Sequence, residues 1–124
     1  MDVESIRRFC LSFLDAKENL QWREDLCFKV RGKIFAVLDL GSVLQRLSLK
    51  SSPAKFAELI ELEGIIPAPY VGRYKWVLLE RLSVLPTPEL KDLIRESYAM
   101  VASKTKVKTA SRGARKVSSK NKKR

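Results

Sequence analysis

The chain has 124 residues, with 25 Lys and Arg against 14 Asp and Glu, a formal net charge of +11, and no histidine. That length suits one domain with one core. Without imidazole, Ser–His and Cys–His nucleophile pairs are excluded, and two cysteines alone cannot complete a four-ligand structural zinc site.

The acidic start Met1-Asp2-Val3-Glu4 lacks the basic-then-apolar layout of a signal peptide. Val3, Ile6, Cys10, Phe13 and Leu14 recur at helical spacing, and Asp2 can cap the first turn, which predicts a helix over residues 2–14. Asp15 to Asp25 is polar and without period, and reads as a loop. Leu26, Phe28 and Val30 then alternate with Cys27, Lys29 and Arg31, the period of a half-buried strand. Arg31-Gly32-Lys33 supplies a turn, and the apolar run Ile34–Leu38 completes a hairpin. A third strand is expected over Leu44–Lys50, with Leu47 and Leu49 on one side and Arg46, Ser48 and Lys50 on the other.

Ser52-Pro53 opens a second helix, with a hydroxyl cap and proline in the first turn. Phe56, Leu59 and Ile60 form its buried stripe, and Gly64 suits its end. Glu58, Glu61 and Glu63 read as its solvated outer face and Glu24-Asp25 as loop solvation, so neither group is taken as a metal site. Ile65 to Gly72 is a shaped loop, Arg73–Glu80 a fourth strand around Trp76–Leu79, and Thr87-Pro88-Glu89 the start of a last helix. Leu90, Leu93, Ile94, Ser97, Tyr98 and Val101 trace one face of that helix. The two cysteines, each in a regular segment, read as reduced buried thiols. No apolar run approaches the roughly 20 residues that cross a bilayer, so a soluble, cytoplasmic protein is expected.

After Ala102 the composition changes. Lys104, Lys106, Lys108, Arg112, Arg115, Lys116, Lys120, Lys122, Lys123 and Arg124 fall within residues 103–124 with no acid among them, which leaves 15 basic and 14 acidic residues before that point. The folded part is close to neutral and the tail carries the polycation character. Such a segment cannot bury enough apolar surface to offset its ordering entropy, so 103–124 reads as a disordered tail behind a domain of residues 1–102.

Several blocks together resemble the MmcQ/YjbR family of small bacterial proteins. They are Phe9-Cys10-Leu11-Ser12, Phe28 through Ala36, Leu49-Lys50-Ser51-Ser52-Pro53, Arg73-Tyr74-Lys75-Trp76-Val77, Leu85-Pro86, Leu93-Ile94 and Ser97-Tyr98. They occur in order over about residues 2–102. The resemblance implies an α+β, two-layer sandwich, with an antiparallel sheet of four or five strands and about three helices, frataxin-like (CyaY-like) and of double-wing type. It also carries the label of a DNA-binding protein. Members often show a Tyr-His-Leu-Asn-Lys-Arg-His-Trp run before the last strand. The corresponding stretch Tyr70-Val71-Gly72-Arg73-Tyr74-Lys75-Trp76 keeps aromatics and cations but lacks both histidines.

Phosphate is contacted by Lys and Arg, and bases stack on aromatics. The candidate nucleic-acid contacts on the body are therefore Arg73, Tyr74 and Lys75, with a basic stripe of Lys29, Arg31, Arg46, Lys50 and Lys75 on the sheet face away from Phe28 and Leu47. The tail cations add sequence-independent affinity through counterion release. The blander alternatives stay open: Trp76 as a core ring with flanking cations, and the stripe as an ordinary solvated face. The function expected is non-enzymatic binding of nucleic acid, DNA over RNA and largely sequence-nonspecific, with no cofactor, no metal and no membrane partner. The alternative is a protein-interaction or small-ligand module for which the DNA label is wrong. A metal-handling role by analogy with frataxin ranks last, because Asp2, Glu4 and Asp15 do not make a dense acidic ridge.

Overall fold

The computed structural model describes residues 1–21 and 24–105, so the tail cations from Lys106 onward lie outside the described residues. Helix α1 spans Val3–Leu11 and starts where expected. Asp2 accepts from the Ser5 N–H and the Ser5 hydroxyl returns to the Asp2 backbone, a reciprocal capping box. It stops at Leu11, short of the predicted Leu14, which is exposed. The next segment corrects the sequence reading: Ala16–Gln21 is a strand, β1, and not a loop. Its outward residues are polar and its inward Glu18 is neutralised by Arg7 of α1, which donates from Nε at 2.7 Å. An edge strand solved in this way carries no apolar alternation to read.

Strands β2 (Asp25–Val30) and β3 (Lys33–Asp39) form the expected hairpin. Its two-residue turn places Arg31 at φ 47° and Gly32 at φ 86°, the paired left-handed conformations that match strand twist. Lys33 thus begins β3 and is not a turn residue. A bulge between Phe28 and Lys29 brings both Phe35 and Ala36 into the core. Strand β4 (Arg46–Lys50) follows. Helix α2 (Pro53–Leu59) is capped by the Ser52 hydroxyl and ends before Gly64, which turns at φ 90° into a short strand β5 (Ile65–Pro67). Glu61 and Glu63 therefore lie beyond α2, and only Glu58 is on its outer face. Residues Gly72–Tyr74 make one tight helical turn, and β6 is Trp76–Leu79, shorter than the predicted strand. Helix α3 (Thr87–Ala102) begins at Thr87 with no side-chain cap, so Thr87 is its first residue and not its cap.

The six strands form one antiparallel sheet in the order β1-β2-β3-β4-β6-β5, one more strand than the upper expectation because β1 and β5 gave no alternating signal. The α+β fold class holds. One sheet face carries Phe28, Val30, Ala36, Leu38, Leu47, Leu49, Val77 and Leu79, all buried against Ile6 and Cys10 of α1, Leu59 of α2, and Leu90, Leu93 and Ile94 of α3. Phe9, Phe13, Phe35 and Tyr98 join edge-to-face and stacked at one end of this layer, and the Tyr98 hydroxyl donates to the Leu14 carbonyl at 2.6 Å. Cys10 and Cys27 are both buried free thiols, and burial pushes the Cys10 thiol up to about 12. No described helix is long and apolar enough to cross a membrane.

Candidate nucleic-acid interface

The second face of the sheet is not covered by the helices, and its residues follow from strand register. Asp25 sits opposite Asp39, and Asp39 opposite Arg46, at one end. At the other end Lys17 sits opposite Lys29, Lys29 opposite Ile34, and Lys50 opposite Trp76. Residues directly opposed across neighbouring strands share a face. Two paired stretches result, Lys17–Lys29–Ile34 across β1 to β3 and Lys50–Trp76 across β4 and β6. The β3–β4 pairing stops at Ala36–Leu49, and beyond it the Ser97 hydroxyl bridges the Phe35 carbonyl and the Lys50 N–H. The stretches meet as one row at a hollow that Ile34 and Lys50 both line.

This row replaces much of the predicted stripe. Lys29, Arg46 and Lys50 are on the expected face, but Arg46 belongs to the other end, where it holds Asp39 Oδ2 through both Nη2 (2.8 Å) and Nε (3.1 Å). Arg31 is in the hairpin turn, bound to Asp15 at 2.7 Å and donating to the carbonyls of Ala102 and Thr105. It closes the C-terminus of α3, a structural task that consumes its donors. Lys75, at φ 70°, reaches away from the row, with its Nζ 5.1 Å from the Phe56 ring centre on α2. Lys17 and Lys33 were missed. Lys17 lies on the strand read as loop, and Lys33 was assigned to the turn, so no periodicity marked either one.

Two hollows open along the row. One, of about 400 Å³, opens where β3 and β4 part and the end of α3 enters between them: it is lined by Ile34, Trp76 and the α3 core residue Val101, with Lys33, Lys50 and Lys104 around them. The other, of about 570 Å³, takes in Lys17 and Lys29 together with Asp15, Glu18 and Arg31, the two carboxylates being paired to Arg31 and Arg7. Trp76 is half-buried: its ring lines the first hollow and is not part of the helix-covered core. Among the described residues no carboxylate comes within ion-pair distance of Lys17, Lys29, Lys33, Lys50 or Lys104. Burial, and then the neighbouring charge of Lys104, lower the Lys50 ammonium below its ordinary range. The end with the two aspartates behaves in the opposite sense. Asp25 is raised by burial and by Asp39 and Glu24. Burial would also raise Asp39, but donors from Arg46, the Gly41 N–H and Ser42 outweigh it and hold the group low.

The backbone under the basic end is pinned by hydroxyls. Buried Ser97 of α3 donates to the Phe35 carbonyl at 2.6 Å and accepts from the Lys50 N–H at 3.0 Å. Ser51 donates to the Lys75 carbonyl at 2.7 Å. The loop before β6 projects Tyr70, 98% exposed and at φ 69°, and Tyr74, half-exposed, with the Arg73 guanidinium 4.9 Å above the Tyr74 ring. Lys50 Nζ reaches the Tyr74 carbonyl at 3.5 Å and so joins loop and row. Arg73 and Tyr74 are thus accessible, as the sequence suggested, while Lys75 is turned elsewhere. No group of three Cys, Asp or Glu side chains suited to a metal occurs among the described residues.

The YjbR family model matches residues 11–100. The chain belongs to the YjbR family. A crystal structure of a Deinococcus radiodurans protein with a DUF419 domain is similar to this YjbR chain at 28% identity and a TM-score of 0.77, over 86% of this chain and 82% of that one. A crystal structure of a Pseudomonas syringae protein aligns at 20% identity and a TM-score of 0.69, over 82% of this chain and all of the other, and shares the fold. No curated protein matched. The matched span runs from the end of α1 into α3 and includes every residue of the row.

Proposed function

We propose that this YjbR protein is a non-enzymatic, cytoplasmic nucleic-acid-binding protein, preferring DNA and largely indifferent to sequence. The observation that carries the reading is the basic end of the uncovered sheet face. Lys17, Lys29, Lys33, Lys50 and Lys104 converge on an exposed surface beside Trp76 and the accessible Tyr74. Among the described residues none of them has a carboxylate within ion-pair distance, and Asp15 and Glu18 at the second hollow are held by Arg31 and Arg7. Like charges opposed across neighbouring strands, as at Lys17 and Lys29, are unfavourable on their own. A phosphate backbone removes that repulsion and gains the entropy of released counterions. The cations of the tail begin at Lys104, at the rim of the first hollow, and extend the same attraction.

The test is fluorescence anisotropy of labelled DNA over a salt series, with the full chain, with Lys29→Ala/Lys50→Ala, and with a chain ending at Thr105. Each phosphate contact contributes about 0.9 to the slope of log affinity against log salt. Loss of about two contacts' worth of slope in the double variant supports the reading. Unchanged slope there, with all binding lost on shortening, would make the tail a generic polycation and return the domain to a protein-interaction or small-ligand role.

A further inference from the structure

The row has a shape as well as a charge, and the shape separates one kind of nucleic acid from another. Its cations are carried on neighbouring strands and cross the sheet transversely, with apolar Ile34 between them and the ring of Trp76 at one end. The hollow at Trp76, about 400 Å³, is the size of a small-ligand site. Its lining of Ile34, Trp76 and Val101 offers a planar ligand an apolar seat, and Lys33, Lys50 and Lys104 stand where an attached phosphate would lie. A base inside a duplex has both faces covered by its neighbours and cannot enter such a hollow. An unpaired base can be splayed out and stacked on an aromatic ring.

We infer that the strand bound across this face is single, lying from Trp76 to Lys17 with a base seated at Trp76 and its phosphates against Lys50 and Lys29. This inference rests on the nucleic-acid reading and narrows it. Two further observations agree with it. The second hollow, at Lys17 and Lys29, lies on the line that the strand would follow after crossing Ile34. Tyr74, half-exposed and with its carbonyl accepting from Lys50 Nζ, adds a second ring beside the Trp76 hollow.

The experiment compares three short labelled oligonucleotides on the full chain: a single strand, the duplex of the same sequence, and a single strand whose bases are replaced by abasic sites. The single strand is expected to bind about tenfold more tightly than the abasic strand, one stacked base at the lower end of its usual contribution, and more tightly than the duplex. Trp76→Ala should remove the advantage and Trp76→Phe should restore most of it. Because Trp76→Ala could disturb the sheet, tryptophan fluorescence of Trp22→Phe gives a second readout with Trp76 intact: the single strand should quench it and the abasic strand should not. Equal binding of all three, without quenching, overturns the single-strand inference and leaves the nucleic-acid reading standing. No binding of any of the three overturns both.

Discussion

The two ends of the uncovered sheet face are built from similar material and finished differently. At one end Asp25, Asp39 and Arg46 sit in register on three adjacent strands, and the arginine is fully engaged by its neighbour. At the other end Lys17, Lys29 and Lys50 occupy corresponding places with no carboxylate to hold them among the described residues, and the backbone beneath is fixed by the neutral hydroxyls of Ser97 and Ser51. Where charge holds the structure together, it is not available to a ligand. Where hydroxyls do so, the charge remains outside. A count of basic residues cannot make this distinction, because Arg46 and Lys50 are equally cationic and only four positions apart.

The comparison can be broken first through its support. Ser97→Ala removes the donor to the Phe35 carbonyl and the acceptor of the Lys50 N–H, both in a buried setting, and should cost about 2–3 kcal/mol in urea unfolding. A loss under about 0.5 kcal/mol would mean that the hydroxyl does not pin the basic end. Next in size is binding: Lys29→Ala/Lys50→Ala should weaken DNA affinity about tenfold, about 1.4 kcal/mol, while Arg46→Ala leaves it unchanged. Equal losses from the two ends would erase the difference between them.

A smaller effect is expected at the hairpin that sets Lys29 and Lys33 on either side of its turn. Gly32 stands at φ 86° with open space around it, so Gly32→Ala should cost about 1 kcal/mol through backbone strain alone. Thermal unfolding reads it. The smallest effect sharpens the acidic end. Asp25 is raised by burial and by two neighbouring carboxylates, so its ionised form opposes folding. Asp25→Asn should therefore stabilise by a few tenths of a kcal/mol at neutral pH, in the range of ordinary surface changes. With a folded value above the unfolded one, Asp25 binds its proton earlier in the native state as pH falls. The variant's advantage should shrink as pH falls through that raised value and be gone below the ordinary aspartate range. An advantage that persisted in acid would exclude charge as its cause.

The helices and the central strands were legible because each has an apolar face at its own period: Leu90, Leu93, Ile94 and Val101 on α3, Leu47 and Leu49 on β4. The capping signals at Asp2 and Ser52 also held. The edge strands were not legible. β1 meets the helix layer through the Arg7–Glu18 pair and the small Ala16, with no large buried apolar residue, and β5 is three residues that follow a glycine turn and end in a proline. The site suffered from the same blindness. Lys29, Lys50, Arg73 and Tyr74 could be read from the sequence as exposed cations and rings near strand ends. Lys17 depended on an unseen strand, and the engagement of Arg31 and Arg46 depended on partners 16 and 7 positions away. Residues Lys106 to Arg124, named from composition, fall outside the described residues.

Those two inconspicuous edges have a consequence of their own. An exposed, regular edge strand is a template on which another chain can grow a sheet, and natural proteins blunt it with charge, proline or brevity. β1 places Lys17 and Glu18 side by side along its length, and β5 stops after three residues at Pro67, with Pro69 just beyond. A polymer that gathers many copies of this domain side by side would raise their local concentration steeply, the condition under which unguarded edges zip into fibrils. With both borders closed to strand addition, such crowding can remain reversible.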